Sequence, residues 1–151
     1  MKVNTRLFGE IEVDDSKIIT FTTGIMGFEE YKKYTLIYNA DKFGNIKWLQ
    51  CLDKPDLAFT VIDPMDVVAE YNPVVDDEIL GQLGEVETDE DYFILVIVTV
   101  PSDLTKMTAN LKAPVIINTK TRKANQIIVN NDDYAVRYNV YQYIKKCKED
   151  A

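Results

Sequence analysis

Apolar residues in this chain recur with a period of two, and that limits the fold more than any other feature. Glu10-Ile11-Glu12-Val13 alternates polar with apolar. Leu57, Phe59 and Val61 share one face, with Ala58 and Thr60 on the other. Val136, Tyr138 and Val140 alternate with Arg137 and Asn139. A period of two sends successive side chains to opposite faces of a strand, one toward a core and one toward solvent. β-branched and aromatic residues fill these runs, as pleated surfaces favour. Strands are expected near 2–7, 9–13, 16–21, 34–39, 46–52, 57–62, 92–100, 114–119, 125–129 and 134–141. Many short strands separated by turn signals predict a mainly β fold, a small antiparallel β-barrel-like structure with one or two short helices.

Helical signals are few. Asp76-Asp77-Glu78-Ile79-Leu80-Gly81-Gln82-Leu83-Gly84 opens with acids, carries an apolar stripe and closes on glycine. A second short helix is expected near residues 104–110. Toward the C-terminus Tyr134, Tyr138 and Tyr141 also fit helical spacing. A strand that gives way to a frayed end from about residue 144 is the preferred reading.

The length of 151 residues suits a single domain spanning 1–151, large enough for one real core. The longest apolar run, residues 93–100, is strand-sized and far below the roughly 20 residues of a membrane helix. The opening Met1-Lys2-Val3-Asn4-Thr5-Arg6 lacks the apolar core of a signal peptide, so a cytoplasmic protein without membrane contact is expected. The two cysteines read as one core thiol (Cys51) and one surface thiol (Cys147), neither a disulfide framework nor a zinc site. The net charge of −8 disfavours direct contact with nucleic acid, whose affinity depends on Lys and Arg displacing counterions. It favours a basic partner, or simply solubility. Five acids fall within residues 85–91, a solvated loop guarding the apolar strand that follows.

The chain has no histidine. That removes the commonest general base and the commonest metal ligand, and with them Ser-His-Asp, Cys-His and imidazole–zinc sites. No P-loop, GxGxxG, HExxH or GxSxG occurs. The carboxylates sit in runs such as Asp14-Asp15, Asp76-Asp77-Glu78 and Asp132-Asp133, which suit solvent-facing turns. No catalytic constellation, cofactor or metal is expected.

Two segments are more particular than composition requires. In Phe21-Thr22-Thr23-Gly24-Ile25-Met26-Gly27-Phe28-Glu29-Glu30, two glycines three apart follow a strand, the mark of a backbone needing positive φ or close approach. In Met107-Thr108-Ala109-Asn110-Leu111-Lys112-Ala113-Pro114-Val115-Ile116-Ile117-Asn118, a strand starts after proline. Asn110 stands where its amide either holds the loop or makes contact with a partner.

Together with Trp48-Leu49-Gln50-Cys51-Leu52, the run L-A-F-T-V-I-D-P at 57–64, Tyr71, Gln126 and Tyr134, these segments resemble the FliW family of flagellar assembly factors along nearly the whole chain. The departures are Ile25-Met26, where leucine-proline is frequent, and a longer charged tail after Tyr143. The resemblance implies a non-catalytic protein-binding regulator with two partners. One is CsrA, a basic RNA-binding regulator that represses flagellin translation. The other is flagellin, which sequesters the FliW protein. It further implies a chain that is monomeric when free. Exposed polar groups near the two segments are the expected partner contacts: Glu29, Glu30, Glu70, Tyr71, Asn110 and Asn118. A small-ligand or flavin-binding β-barrel is the alternative, because a barrel mouth can hold a ligand. A hydrolase using carboxylates alone is a more distant one.

Overall fold

Nearly every alternating run forms a strand. A computed structural model describes residues 2–6, 8–38, 46–84 and 91–149, with side chains as far as residue 146. The strands are β1 (Lys2–Thr5), β2 (Gly9–Glu12), β3 (Ile19–Phe21), β4 (Lys33–Tyr38), β5 (Lys47–Cys51), β6 (Ala58–Ile62), β7 (Tyr92–Thr99), β8 (Thr108–Ala109), β9 (Val115–Asn118), β10 (Lys123–Gln126) and β11 (Tyr138–Asn139). The helices are α1 (Asp77–Gly81) and α2 (Tyr141–Glu149).

β1 and β2 form a separate hairpin. The other strands run in the order β11-β8-β7-β6-β5-β4-β3-β10-β9, and β7 also pairs with β9. That last pairing closes β7, β6, β5, β4, β3, β10 and β9 into a seven-stranded barrel. The fold is therefore mainly β and barrel-shaped, as the alternation predicted. All pairings are antiparallel except β3 with β10. The long β7 divides one edge between two partners: Tyr92–Leu95 close the barrel on β9, while Val98 and Thr99 carry β8 and β11 outward.

The barrel interior is filled by side chains. Phe21, Tyr34, Leu49, Cys51, Leu95 and Ile117 are all buried there, each contributing roughly 1.5–3 kcal/mol where it is an aliphatic or phenyl side chain. A second apolar cluster lies between the outer half of β7, β8 and α2, built on Val96, Met107, Leu111, Val140 and Ile144. Cys51 is the core thiol expected; the side chain of Cys147 and residues 85–90 of the acidic stretch lie outside the described residues.

The structure corrects several boundaries. Residues 16–21 are not one strand: the Asp14 carboxylate accepts from the Ser16 N–H (2.9 Å) and hydroxyl (2.8 Å), bending Asp15–Lys17 into a 3-10 turn. The helix expected near 104–110 is only a 3-10 turn at Leu104–Lys106, capped by Asp103, before β8 begins. The strand expected at 125–129 is β10 and ends at Gln126, after which Ile127 and Val129 donate backbone bonds to Pro114 and Lys112. The largest correction is the tail. Only Tyr138–Asn139 is strand. Asn139 then accepts from the Tyr141 N–H (3.1 Å), starting a helix that buries Ile144.

Candidate protein-docking site at the barrel mouth

The two segments singled out in the sequence meet at one end of the barrel. After β3 the chain turns through Gly24 and Gly27, both at positive φ (91° and 87°). A Cβ on Gly24 would lie 2.7 Å from the Glu29 Cα, so this turn closes only around glycine. The Phe28 N–H donates to the Ile25 carbonyl (2.7 Å), folding Phe28 back edge-to-face on Phe59. Met26 is left on the surface, 46% exposed.

Amides from distant strands pin this loop. Gln126 accepts from the Met26 N–H (2.9 Å) and donates to the Ala113 carbonyl (3.1 Å). Asn125 accepts from the Thr23 N–H (2.8 Å) and hydroxyl (3.0 Å) and donates to the Thr22 hydroxyl. Asn110 accepts from the N–H groups of Lys112 (3.2 Å) and Ala113 (3.0 Å). One amide ladder thus ties the Gly24 turn to the Asn110 loop.

Between them lies a cleft of about 230 Å³. Its floor is apolar, formed by Ile25, Met26, Phe59, Ile97 and Val136, and its rim carries Asn110, Gln126 and Arg137. Val136 is 57% exposed. An apolar floor with a polar rim suits an anchoring side chain of another protein, the arrangement from which interface hot spots are built.

The six residues expected at the partner surface separate here. Glu29 and Glu30 are exposed beside the cleft-forming loop. The Glu29 carboxylate accepts from the Gly27 N–H (3.1 Å), and that bond holds its pKa below the ordinary glutamate range. Asn110 lines the cleft, half-buried, with its carbonyl oxygen committed to the loop. Glu70 is exposed on the segment after the Pro64–Asp66 turn.

Tyr71 and Asn118 are not surface groups. Tyr71 is 6% exposed, stacks on Tyr134 at 4.6 Å and donates to the Leu111 carbonyl (2.7 Å); burial pushes its phenol well above the usual range. Asn118 is 0% exposed. It donates to the carbonyls of Leu83 (3.0 Å) and Gly84 (3.3 Å) and accepts from the N–H groups of Lys120 (2.9 Å) and Thr121 (3.2 Å). Both hold the fold. The cleft also contains Met26, Val136 and Arg137, which carry no mark of partner contact in the sequence: an apolar residue such as Val136 in a strand-like run does not show whether it is exposed.

Among the described residues, no three Asp, Glu or Cys side chains gather as a metal site, and no helix is long and apolar enough to cross a membrane. The barrel lumen is occupied by its own side chains. The class defined is a small closed β-barrel with a cleft of mixed apolar and polar lining at one mouth.

Comparison with known proteins identifies the family. The sequence profile described as FliW protein matches residues 2–140, and the chain belongs to the FliW family. The flagellar assembly factor FliW of Lachnospira eligens is 51% identical over 148 residues, covering 97% of this chain and 98% of that protein. The flagellar assembly factor FliW of Lachnoclostridium phytofermentans is 46% identical over 144 residues, covering 94% and 92%. A crystal structure of the flagellar assembly factor FliW matches with a TM-score of 0.83 at 32% identity, over 93% of this chain and 96% of that one.

Proposed function

We propose that this chain is a non-catalytic flagellar assembly factor of the cytoplasm that works by binding a CsrA-type RNA-binding regulator and flagellin in turn. Occupied by unexported flagellin, it leaves the regulator free to repress flagellin translation. Released on export, it restrains the regulator. The observation that carries this reading is the rim cleft: the two segments most typical of the family converge there, bringing Ile25, Met26 and Asn110 together, with acidic Glu29 and Glu30 beside it. The filled lumen disfavours the alternative of a ligand- or flavin-binding barrel.

The acidic balance supports a basic partner, which it would draw in by long-range attraction. Held beside the regulator's RNA surface, it would also repel RNA phosphates and so inhibit without filling the RNA site. Glu29, Glu30, Glu70 and Asn110 remain the polar contacts of this reading; Met26 and Val136 are its apolar anchors.

Calorimetry with the purified CsrA-type regulator and the flagellin of the same bacterium tests it. Met26→Asp and Val136→Asp are expected to weaken at least one of the two complexes by about tenfold or more. Failure of the folded wild-type chain to bind either protein overturns the reading. RNA competition tests the indirect inhibition: simple displacement, with no ternary complex or accelerated RNA release, removes that part.

A further inference from the structure

Among the described residues, a strand position stands open beside β4, because β3 stops short of it. β3 pairs with β4 through Ile19↔Tyr34 and Thr20↔Lys33. Continued in the same register, Lys17 would face Leu36 and Asp15 would face Tyr38. Those residues instead belong to the Asp15–Lys17 turn. The Lys33 carbonyl accepts from the Leu52 N–H (2.9 Å) on the β5 side, and the Lys32 carbonyl accepts from the Phe21 N–H (2.8 Å) on the β3 side. In an antiparallel ladder residues face the two neighbours alternately. The N–H and C=O of Leu36 and Tyr38 therefore point to the vacated side.

On that side lies a cleft of about 560 Å³. Ile11 and Val13 of the N-terminal hairpin and Ile37 of β4 supply its apolar wall, and Lys17 and Arg122 supply cations. Glu12 and Asp14 also border it, but the Asp14 carboxylate is engaged by Ser16. Arg122 is unusual twice over. Its backbone is left-handed (φ 61°), held by its N–H on the Asn118 carbonyl (2.8 Å). Its Nη2 donates to the Lys17 carbonyl (3.1 Å), while its Nε is buried without an acceptor. The guanidinium lines the cleft, and a carboxylate entering there can meet its planar face and edge with charge-assisted bonds.

We propose that this cleft takes an extended segment of a partner protein as an added strand on β4, with an acidic side chain of that segment on the Arg122 guanidinium. Main-chain bonds to Leu36 and Tyr38, up to about four, supply the attachment. The wall of Ile11, Val13 and Ile37 takes alternate apolar side chains, and Arg122 fixes the register. The site is separate from the docking mouth. Lys17 and Arg122 precede the parallel strands β3 and β10, whereas Met26 and Gln126 lie where those strands finish. Both ends can be occupied at once, and this inference stands whether or not the proposed partners of the mouth are right.

A phage-displayed library of random peptides panned on the folded chain tests it. Enriched peptides are expected to alternate apolar residues around a fixed Asp or Glu. A synthetic copy should slow hydrogen exchange at the Leu36 and Tyr38 amides by about tenfold or more. Arg122→Gly, which suits the left-handed backbone, should keep the fold by circular dichroism and weaken binding about tenfold, as should replacing the peptide's acid by its amide. Met26→Asp should leave peptide affinity unchanged. A library without binders overturns the proposal, as do binders that ignore Arg122→Gly and leave both amides exchanging freely. Concentration-dependent protection of those amides without peptide would assign the position to a second copy of this chain, and so also overturns it.

Discussion

Asn118 and Glu29, two polar residues that look alike as partner contacts in the sequence, do opposite things. Asn118 satisfies Leu83, Gly84, Lys120 and Thr121 from a fully buried position. Asn118→Ala is expected to cost about 2 kcal/mol or more, read by urea denaturation, because backbone groups would be left buried without partners. Glu29→Gln should lower stability slightly at pH 7, where the carboxylate is charged and accepts from the Gly27 N–H. Its folded-state pKa is depressed by the Gly27 N–H, so its contribution is present above the unfolded value of 4.5 and lost as pH falls through the lower folded value. Thermal melts across the window from 4.5 down to the lower folded value should therefore show less acid sensitivity in the variant than in the parent. Gly24 and Gly27 offer an internal comparison. Both need positive φ, but a Cβ at 24 meets the Glu29 backbone and one at 27 meets nothing. Gly27→Ala should lose about 1 kcal/mol and Gly24→Ala clearly more. The need for glycine was legible from spacing. The burial of Asn118 was not, because an asparagine at a strand end reads the same whether it faces solvent or carbonyls supplied from residues 83 and 84.

Among elements, the strands of the barrel were readable and the tail was not. β4 to β7 carry apolar side chains inward with little competition from any other period. From Tyr134 onward two periods overlap: Val136, Tyr138 and Val140 alternate, while Tyr138 and Tyr141 also fit a helix. The choice is made by tertiary packing. Val140 and Ile144, one turn apart, both enter the cluster under β7 and β8, and the Asn139 side chain caps the turn between them. A helix that covers core in this way is held by its buried face more than by its own propensity. Ile144→Ala is expected to lower stability by about 2 kcal/mol and reduce the helical signal in circular dichroism, with partner binding at the mouth retained. Equal stability in parent and variant would show the helix to be a passive appendage.

At the scale of the whole molecule, charge and topology act over distances that no single contact spans. With 25 acids against 17 bases, association with a basic partner should slow by about an order of magnitude as salt rises from about 0.05 M to about 0.5 M, measured by stopped flow. A rate indifferent to salt removes steering from the account. The topology has a different consequence. The loop at Met26 is held by Gln126, and that at Thr23 by Asn125, groups lying 100 and 102 positions further along the chain. A polypeptide emerging from the ribosome therefore displays its early docking segment long before the strand that shapes it exists. Until β10 has been made and seated beside β3, there is no mouth for a partner to enter. Fragments from stalled or truncated synthesis would lack the cleft, and only finished copies would carry it.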